Sequence, residues 1–199
     1  MIYIAHRVNT TEHLNSTPRD QGVELDLRDH GTDLVLQHDP FVGAQGECFR
    51  DYLRSYQHGL MILNIKSERI EWRVLEAIKD SRVRDYFFLD CSFPMIRQLI
   101  AKGERRVAVR FSEFEPLECA LSLAGEIDWV WVDCFTRMPL DDHSYHQLQK
   151  HFKLCMVSPE LHGRSVGEIP GFAKSLKPYR VDAICTKRPD LWQGLEKLD

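Results

Sequence analysis

Short apolar runs recur along the whole 199-residue chain, and their spacing limits the folds that it can adopt. Most of the runs are almost continuously apolar and contain β-branched or aromatic side chains. Such segments are typical of strands covered on both faces, as in a parallel sheet. The pattern therefore predicts eight strands, at residues 1–6, 22–28, 60–66, 86–92, 106–112, 128–135, 153–159 and 182–187.

Amphipathic segments with helical spacing separate most of these runs. Residues 93–103 and 116–125 each have a proline near the start and a glycine at the end, which is the usual start-and-stop pair of a helix. Further helices are predicted at residues 69–80, 141–152, 169–179 and 188–198.

Alternating strands and helices predict one α/β domain over residues 1–199, a (β/α)8 TIM barrel. This barrel would be compact, because about 250 residues are typical. A doubly wound open sheet is the alternative.

The composition narrows the classes of partner. The net charge of −4 argues against nucleic acid as the main partner, since a phosphate backbone calls for a basic surface. No apolar run reaches the roughly 18 residues of a membrane-spanning helix. The six cysteines are scattered without zinc-site spacing and are expected to be reduced thiols of a cytoplasmic protein. The sequence leaves the oligomeric state open.

Polar residues occur near the carboxyl ends of the predicted strands, where a parallel barrel builds its active site. Glu24 and Asp26 stand two positions apart on the second strand, so both should point to the same face. The run from Val23 to Asp39 predicts a strand, a turn and a second strand that ends at His38. The other strand-end residues are His6, Arg7, Asn64, Lys66, Asp90, Ser92, Arg110, Ser112, Asp133, Ser158, Glu160, Thr186 and Lys187.

Four of these motifs, in this order, resemble the glycerophosphodiester phosphodiesterase family: AHR at 5–7, ELDLR at 24–28, LVLQHD at 34–39 and LNIK at 63–66. Weaker matches are Ser92-Phe93 and the closing ICTKRPDLW. The resemblance implies a TIM barrel that hydrolyses a small phosphodiester with a divalent metal, Mg²⁺ or Ca²⁺, with Mn²⁺ as a further possibility.

The resemblance also implies a role for individual residues. His6 and His38 would be the general acid and base, Arg7 and Lys66 would bind the phosphate, and Glu24 and Asp26 would be metal ligands. The chemistry is consistent, because carboxylate oxygens suit a hard cation and histidine exchanges protons near neutral pH.

The chain departs from the family pattern at three places. Asn64 stands where the family usually has a third metal-binding glutamate, and its amide oxygen would ligate without charge. Val8 follows His6-Arg7 where glycine would make the turn easier. Only 24 residues separate Asp39 from Asn64, so the usual insertion after the second strand is absent and the usual substrates are in doubt.

Two further residues, Arg110 and Glu160, are predicted to bind substrate from their strand-end positions alone, and Glu160, His162 and Arg164 to set substrate choice. Asn64 motivates one alternative function, a barrel that binds a phosphorylated ligand without turnover. A second alternative is a related lyase that forms a cyclic phosphate.

Overall fold

The computed structural model describes residues 1–40 and 46–196 and shows a mixed α/β fold. Within these residues the strands are β1 (Ile2–Ala5), β2 (Gly22–His30), β3 (Asp33–Leu36), β4 (Glu47–Cys48), β5 (Met61–Ile65), β6 (Tyr86–Leu89), β7 (Ala108–Phe111), β8 (Trp129–Val132), β9 (Lys153–Val157) and β10 (Ala183–Thr186). Each of the eight predicted strand segments overlaps one of them.

The predicted helical segments also contain helices, and the residues at their ends explain where they stop. Gly103 and Gly125, which follow α4 and α5, have positive φ values of 84° and 78°, a conformation that glycine adopts without strain. The helices are α1 (Thr11–Ser16), α2 (Phe49–Ser55), α3 (Glu71–Lys79), α4 (Phe93–Ala101), α5 (Leu117–Leu121), α6 (Asp142–Leu148), α7 (Ile169–Leu176) and α8 (Pro189–Glu196), with 3₁₀ turns at Pro159–His162 and Val166–Glu168. The predicted end of the last helix, residues 197–198, lies outside the described residues.

The chain divides into two compact units. The first unit is Ala5–Gly103, and the second is Met1–Ile4 together with Glu104–Asp199. A single domain over the whole chain therefore stays a prediction.

In the first unit, β2 pairs in parallel with β5, and β5 pairs in parallel with β6. The hairpin predicted between Val23 and Asp39 is present, because β2 also pairs antiparallel with β3. Strand β4 then extends this hairpin on the far side of β3. In the second unit, β7, β8, β9 and β10 are parallel neighbours in that order, and β10 neighbours β1.

Strand β2 is buried on both of its faces, as its sequence predicts. Val23, Leu25 and Leu27 occupy one face and are fully buried. Glu24 and Asp26 occupy the other face and are 1% and 0% exposed. The two carboxylates are therefore part of the interior of the first unit, where an unpaired charge is costly.

In the part of the chain that the structure describes, no helix is both long and apolar enough to span a bilayer.

Candidate active site

The centre of the site is a group of three side chains on β2 and β5, called here the acid–amide cluster: Glu24, Asp26 and Asn64. In the parallel register of the two strands, Asp26 lies beside Asn64. Paired residues of neighbouring strands project to the same face, so the amide joins the two carboxylates there. Asn64 donates from Nδ2 to Glu24 Oε1 at 2.8 Å.

Two oxygens of this cluster are buried without a hydrogen-bond partner among the described residues: Asp26 Oδ1 and Asn64 Oδ1. Buried polar atoms in native proteins are nearly always paired, so two such oxygens from neighbouring positions call for an explanation. A hard cation would explain them, since Mg²⁺ and Ca²⁺ bind carboxylate and amide oxygens.

The electrostatics of the cluster also favour a bound cation. Burial, together with the neighbouring negative charge of Asp26, raises the pKa of Glu24 to about 7. Two adjacent buried carboxylates therefore repel each other in the metal-free protein. A divalent cation would relieve this repulsion.

The turn after β1 holds both carboxylates in place. Arg7 has a φ of 55°, rare for a residue other than glycine, and its backbone N–H donates to Glu24 Oε2 at 2.8 Å. His6 Nε2 lies 3.7 Å from the same Glu24 oxygen. The turn places the positive φ at Arg7 rather than at Val8, and Val8 is a buried core residue.

Asn9, also in this turn, binds Asp26 through both ends of its amide. Its Nδ2 donates to Asp26 Oδ2 at 2.8 Å, and its Oδ1 accepts the backbone N–H of Asp26 at 2.8 Å. The sequence interpretation did not assign Asn9 a role, although it lies only two residues beyond Arg7.

The geometry of His38 defines which of its nitrogens carries the proton. Its Nε2 lies 2.7 Å from Arg7 Nη2, and its Nδ1 lies 2.7 Å from Asp39 Oδ1. A guanidinium N–H can only donate, so Nε2 must accept, and the proton is on Nδ1, facing Asp39. The lone pair of His38 Nε2 therefore points toward Arg7 and accepts its hydrogen bond.

Lys66 lies between two acidic side chains. Its Nζ is 2.9 Å from Asp90 Oδ2 and 3.9 Å from Asp26 Oδ1. Asp90, like Arg7, has a positive φ, 63°.

Arg28 links the segments that carry Lys66 and His38. Its guanidinium donates to the backbone carbonyl of His38 from Nε at 3.0 Å and from Nη2 at 2.8 Å. Its Nη1 donates to the carbonyl of Lys66 at 2.7 Å. Arg28 belongs to the ELDLR motif, but the sequence assigned it no role, because a motif does not show which backbone carbonyls a side chain binds.

The structure thus brings together seven of the predicted site residues within the first unit: His6, Arg7, Glu24, Asp26, His38, Asn64 and Lys66. The other four, Arg110, Glu160, His162 and Arg164, belong to the second unit. Arg110 binds Asp133 there.

Glu160 is buried in the second unit and saturated with hydrogen bonds. Its Oε1 accepts from Thr186 Oγ1 at 2.6 Å and from the Lys187 backbone N–H at 2.9 Å. Its Oε2 accepts from Ser158 Oγ. We call these four residues the Glu160 cluster; the contacts join the loops that follow β9 and β10.

Among the described residues, no three histidine, cysteine, aspartate or glutamate side chains form a metal-ligand group. The donor set that fits a cation is therefore the acid–amide cluster, with two carboxylates and one neutral amide oxygen. These are hard oxygen ligands, suited to Mg²⁺ or Ca²⁺ rather than to zinc.

Neither a protein-family profile nor a curated protein matches this sequence. Solved structures do match. A glycerophosphodiester phosphodiesterase from Agrobacterium tumefaciens str. C58 has a TM-score of 0.73 and 14% identity, over 96% of this chain and 99% of that one. A second protein of that strain, provisionally named glycerophosphoryl diester phosphodiesterase, has a TM-score of 0.72 and 15% identity, over 100% of this chain and 98% of that one.

A glycerophosphoryl diester phosphodiesterase from Parabacteroides distasonis ATCC 8503 has a TM-score of 0.69 and 14% identity, over 99% of this chain and 86% of that one. At such low identity these likenesses establish that the chain is similar in fold to these proteins.

Proposed function

We propose that this protein is a divalent-metal-dependent phosphodiesterase that hydrolyses a small, glycerophosphodiester-like substrate, and that its parallel strands form a (β/α)8 barrel. The observation that carries the proposal is the acid–amide cluster, with its buried unpartnered oxygens Asp26 Oδ1 and Asn64 Oδ1. Two histidines and two cations, the residue types that phosphodiester hydrolysis needs, belong to the same unit. The names of the structural neighbours support the same reaction class.

Glu24, Asp26 and Asn64 would hold the metal ion. When bound, the ion would polarise a phosphoryl oxygen and offset negative charge in the transition state. Arg7 and Lys66 would donate hydrogen bonds to the remaining phosphoryl oxygens, and the guanidinium of Arg7 can do so through two N–H groups at once.

His38 is the general base in this proposal, because its Nε2 carries a lone pair. In the absence of substrate, Arg7 donates to that nitrogen. A bound phosphate would attract the guanidinium and leave Nε2 free to take the proton of the attacking water. Asp39 keeps the other nitrogen protonated and would stabilise the resulting imidazolium.

His6 is the general acid. Its Nε2 lies 3.7 Å from Glu24 Oε2, which places the ring beside the proposed metal ligands. From there it would protonate the leaving alkoxide, whose departure is otherwise slow.

The proposal is tested by incubating the purified protein with a panel of phosphodiesters in Mg²⁺, Mn²⁺ or Ca²⁺. The panel should include glycerophosphocholine, glycerophosphoglycerol, lysophospholipids and nucleoside diphosphate alcohols. We expect EDTA to stop the reaction and His6→Ala or His38→Ala to abolish it without loss of the fold. His151→Ala is the matched control, since His151 is exposed and lies in the second unit. Full activity of the His38→Ala variant would contradict the assigned role.

One observation favours a second candidate, a phosphoryl-ligand-binding barrel without turnover. Asn64 is neutral and donates a hydrogen bond to Glu24, whereas a third carboxylate would add negative charge. The cluster therefore attracts a cation less strongly than three carboxylates would. Calorimetric titration with Mg²⁺ and Ca²⁺ separates the two, because the second candidate predicts no metal binding. If turnover is found, incorporation of ¹⁸O from water into the first product distinguishes hydrolysis from formation of a cyclic phosphate.

A further inference from the structure

Asp90, which follows β6, adopts a backbone conformation that most residues avoid. Its φ of 63° lies in the left-handed region, which aspartate tolerates better than most side chains but glycine alone adopts freely. A residue held in such a conformation often marks a functional constraint. In this conformation the Asp90 carboxylate accepts a hydrogen bond from Lys66 Nζ at 2.9 Å.

Lys66 has a second acidic neighbour. Asp26 Oδ1 lies 3.9 Å from the same ammonium, and this oxygen accepts no hydrogen bond within the described residues. Asp26 and Asp90 therefore compete for one cation. At present the shorter contact is with Asp90, and Asp26 keeps an oxygen available.

The position of the Lys66 ammonium determines whether Asp26 Oδ1 can bind a divalent cation. If the ammonium moved about 1 Å closer to Asp26, it would form a direct hydrogen bond there. It would then occupy the lone pairs that a divalent cation needs, and two positive charges would compete for one carboxylate.

We propose that Asp90 is a positioning residue that draws Lys66 away from Asp26, and thereby keeps the acid–amide cluster open to a divalent cation. The proposal rests on the proposed function for its biological meaning, since it assumes that Asp26 is a metal ligand. It assigns Asp90 no contact with the metal or the substrate. Its entire effect passes through Lys66.

The first test measures Mg²⁺ affinity by titration calorimetry in the purified protein and its Asp90→Asn variant. Asparagine tolerates the left-handed conformation but lacks the charge that attracts Lys66. We expect Mg²⁺ affinity to fall roughly 10- to 100-fold, the range typical for loss of a group that supports a metal site.

The same substitution is then made in a Lys66→Met background. In that background Asp90 can no longer act on Asp26 through the ammonium, so Asp90→Asn should change Mg²⁺ affinity less than about twofold, the limit of additivity for uncoupled sites. An equal loss in both backgrounds would overturn the proposal, because Asp90 would then act directly. Unchanged affinity in both would overturn it as well.

A crystal structure of the Asp90→Asn variant gives a readout that needs neither metal nor substrate. Lys66 Nζ should lie about 3 Å from Asp26 Oδ1. An ammonium that stays away from Asp26 would overturn the proposal even if the protein proves to be a phosphodiesterase. Conversely, failure of the wild-type protein to bind any metal would count against the proposed function, while this measurement would still decide the position of Lys66.

Glycine substitutions separate the backbone from the carboxylate. Asp90→Gly should keep or raise the thermal midpoint, because glycine is at ease at positive φ, and should lose Mg²⁺ affinity as Asp90→Asn does. Arg69→Gly is the matched control, since Arg69 is exposed and has a φ of 67°. It should leave Mg²⁺ affinity unchanged. Undiminished affinity in Asp90→Gly would overturn the proposal.

Discussion

Two groups of buried acids in this protein have the same kind of sequence signature and opposite hydrogen-bonding states. The Glu160 cluster of the second unit is complete, because both carboxylate oxygens accept hydrogen bonds from neighbouring loops. The acid–amide cluster of the first unit is incomplete, because Asp26 Oδ1 and Asn64 Oδ1 accept none among the described residues.

The comparison distinguishes a buried carboxylate that stabilises the fold from one that still has an oxygen able to bind a ligand. A saturated carboxylate has used its capacity to bind and now stabilises the loops that surround it. An unsaturated one carries a desolvation cost that the folded chain has not offset. Both acids stand near strand ends, so strand-end position by itself does not indicate which state a residue will have.

The largest expected effect is at the incomplete cluster. Asp26→Asn removes the charge of a proposed metal ligand while keeping its shape, so Mg²⁺ affinity and turnover should fall by more than about 100-fold, beyond the usual effect of a supporting residue. Metal-free stability should hold or rise, because the repulsion with Glu24 disappears. Titration calorimetry and thermal melts in EDTA measure both. A large loss of metal-free stability would show that this cluster, too, is structural.

The complete cluster should behave in the opposite way. Glu160→Ala leaves the Lys187 N–H and two hydroxyl groups without their acceptor, which should lower the free energy of unfolding by about 1–3 kcal/mol. Mg²⁺ affinity should not change. Urea denaturation measures the loss, and Glu118→Ala is a suitable control because Glu118 is exposed and lies in the same unit. A Glu160→Ala protein of normal stability would contradict the structural role.

Substitutions at Asn64 change the charge and the hydrogen bonding of the acid–amide cluster. Asn64→Asp adds a charge without adding volume and removes the donor to Glu24, so Mg²⁺ affinity should rise about tenfold, equivalent to roughly 1.4 kcal/mol. The thermal midpoint in EDTA should fall. Asn64→Ala is the control, and it should lose affinity. If Asn64→Asp also loses affinity, the amide is required for hydrogen bonding rather than as an incomplete ligand.

The smallest expected effect is the contribution of Asp26 to a pH dependence of metal-free stability. The raised pKa of Glu24, about 7 against an ordinary 4.5, means that the folded state binds more protons than the unfolded state between these values. Stability in EDTA should therefore decrease as pH rises from about 4.5 to 7. The decrease should be smaller in Asp26→Asn, which lacks one cause of the shift. Thermal melts across this range check it, and a slope equal in both proteins would show that Asp26 does not contribute.

Much of the fold could be predicted from the sequence, because strands buried on both faces leave continuous apolar runs and the helices between them have clear limits. The short helices α1 and α2 were not predicted. In α1 only Leu14 is buried, too little to leave a periodic pattern.

The residues of the polar site were predictable where the residue type itself indicates the chemistry, as for carboxylates and histidines in motifs. Glu24, Asp26 and the two histidines belong to motifs, and the structure brings them together. Asn9, Arg28 and Asp90 were not predicted as site residues, because they act by hydrogen bonds whose partners are distant in sequence. The hydrogen bonds of Glu160 were not predictable either, since they depend on how two loops meet.

Arg28 has a mechanical consequence. His38 follows the antiparallel strand β3 and Lys66 follows the parallel strand β5, and both strands pair with β2 at Leu27. A single guanidinium spans their two carbonyl groups. The separation of these two carbonyls is thus fixed by one rigid, planar ion, which ties the end of the hairpin to the end of β5.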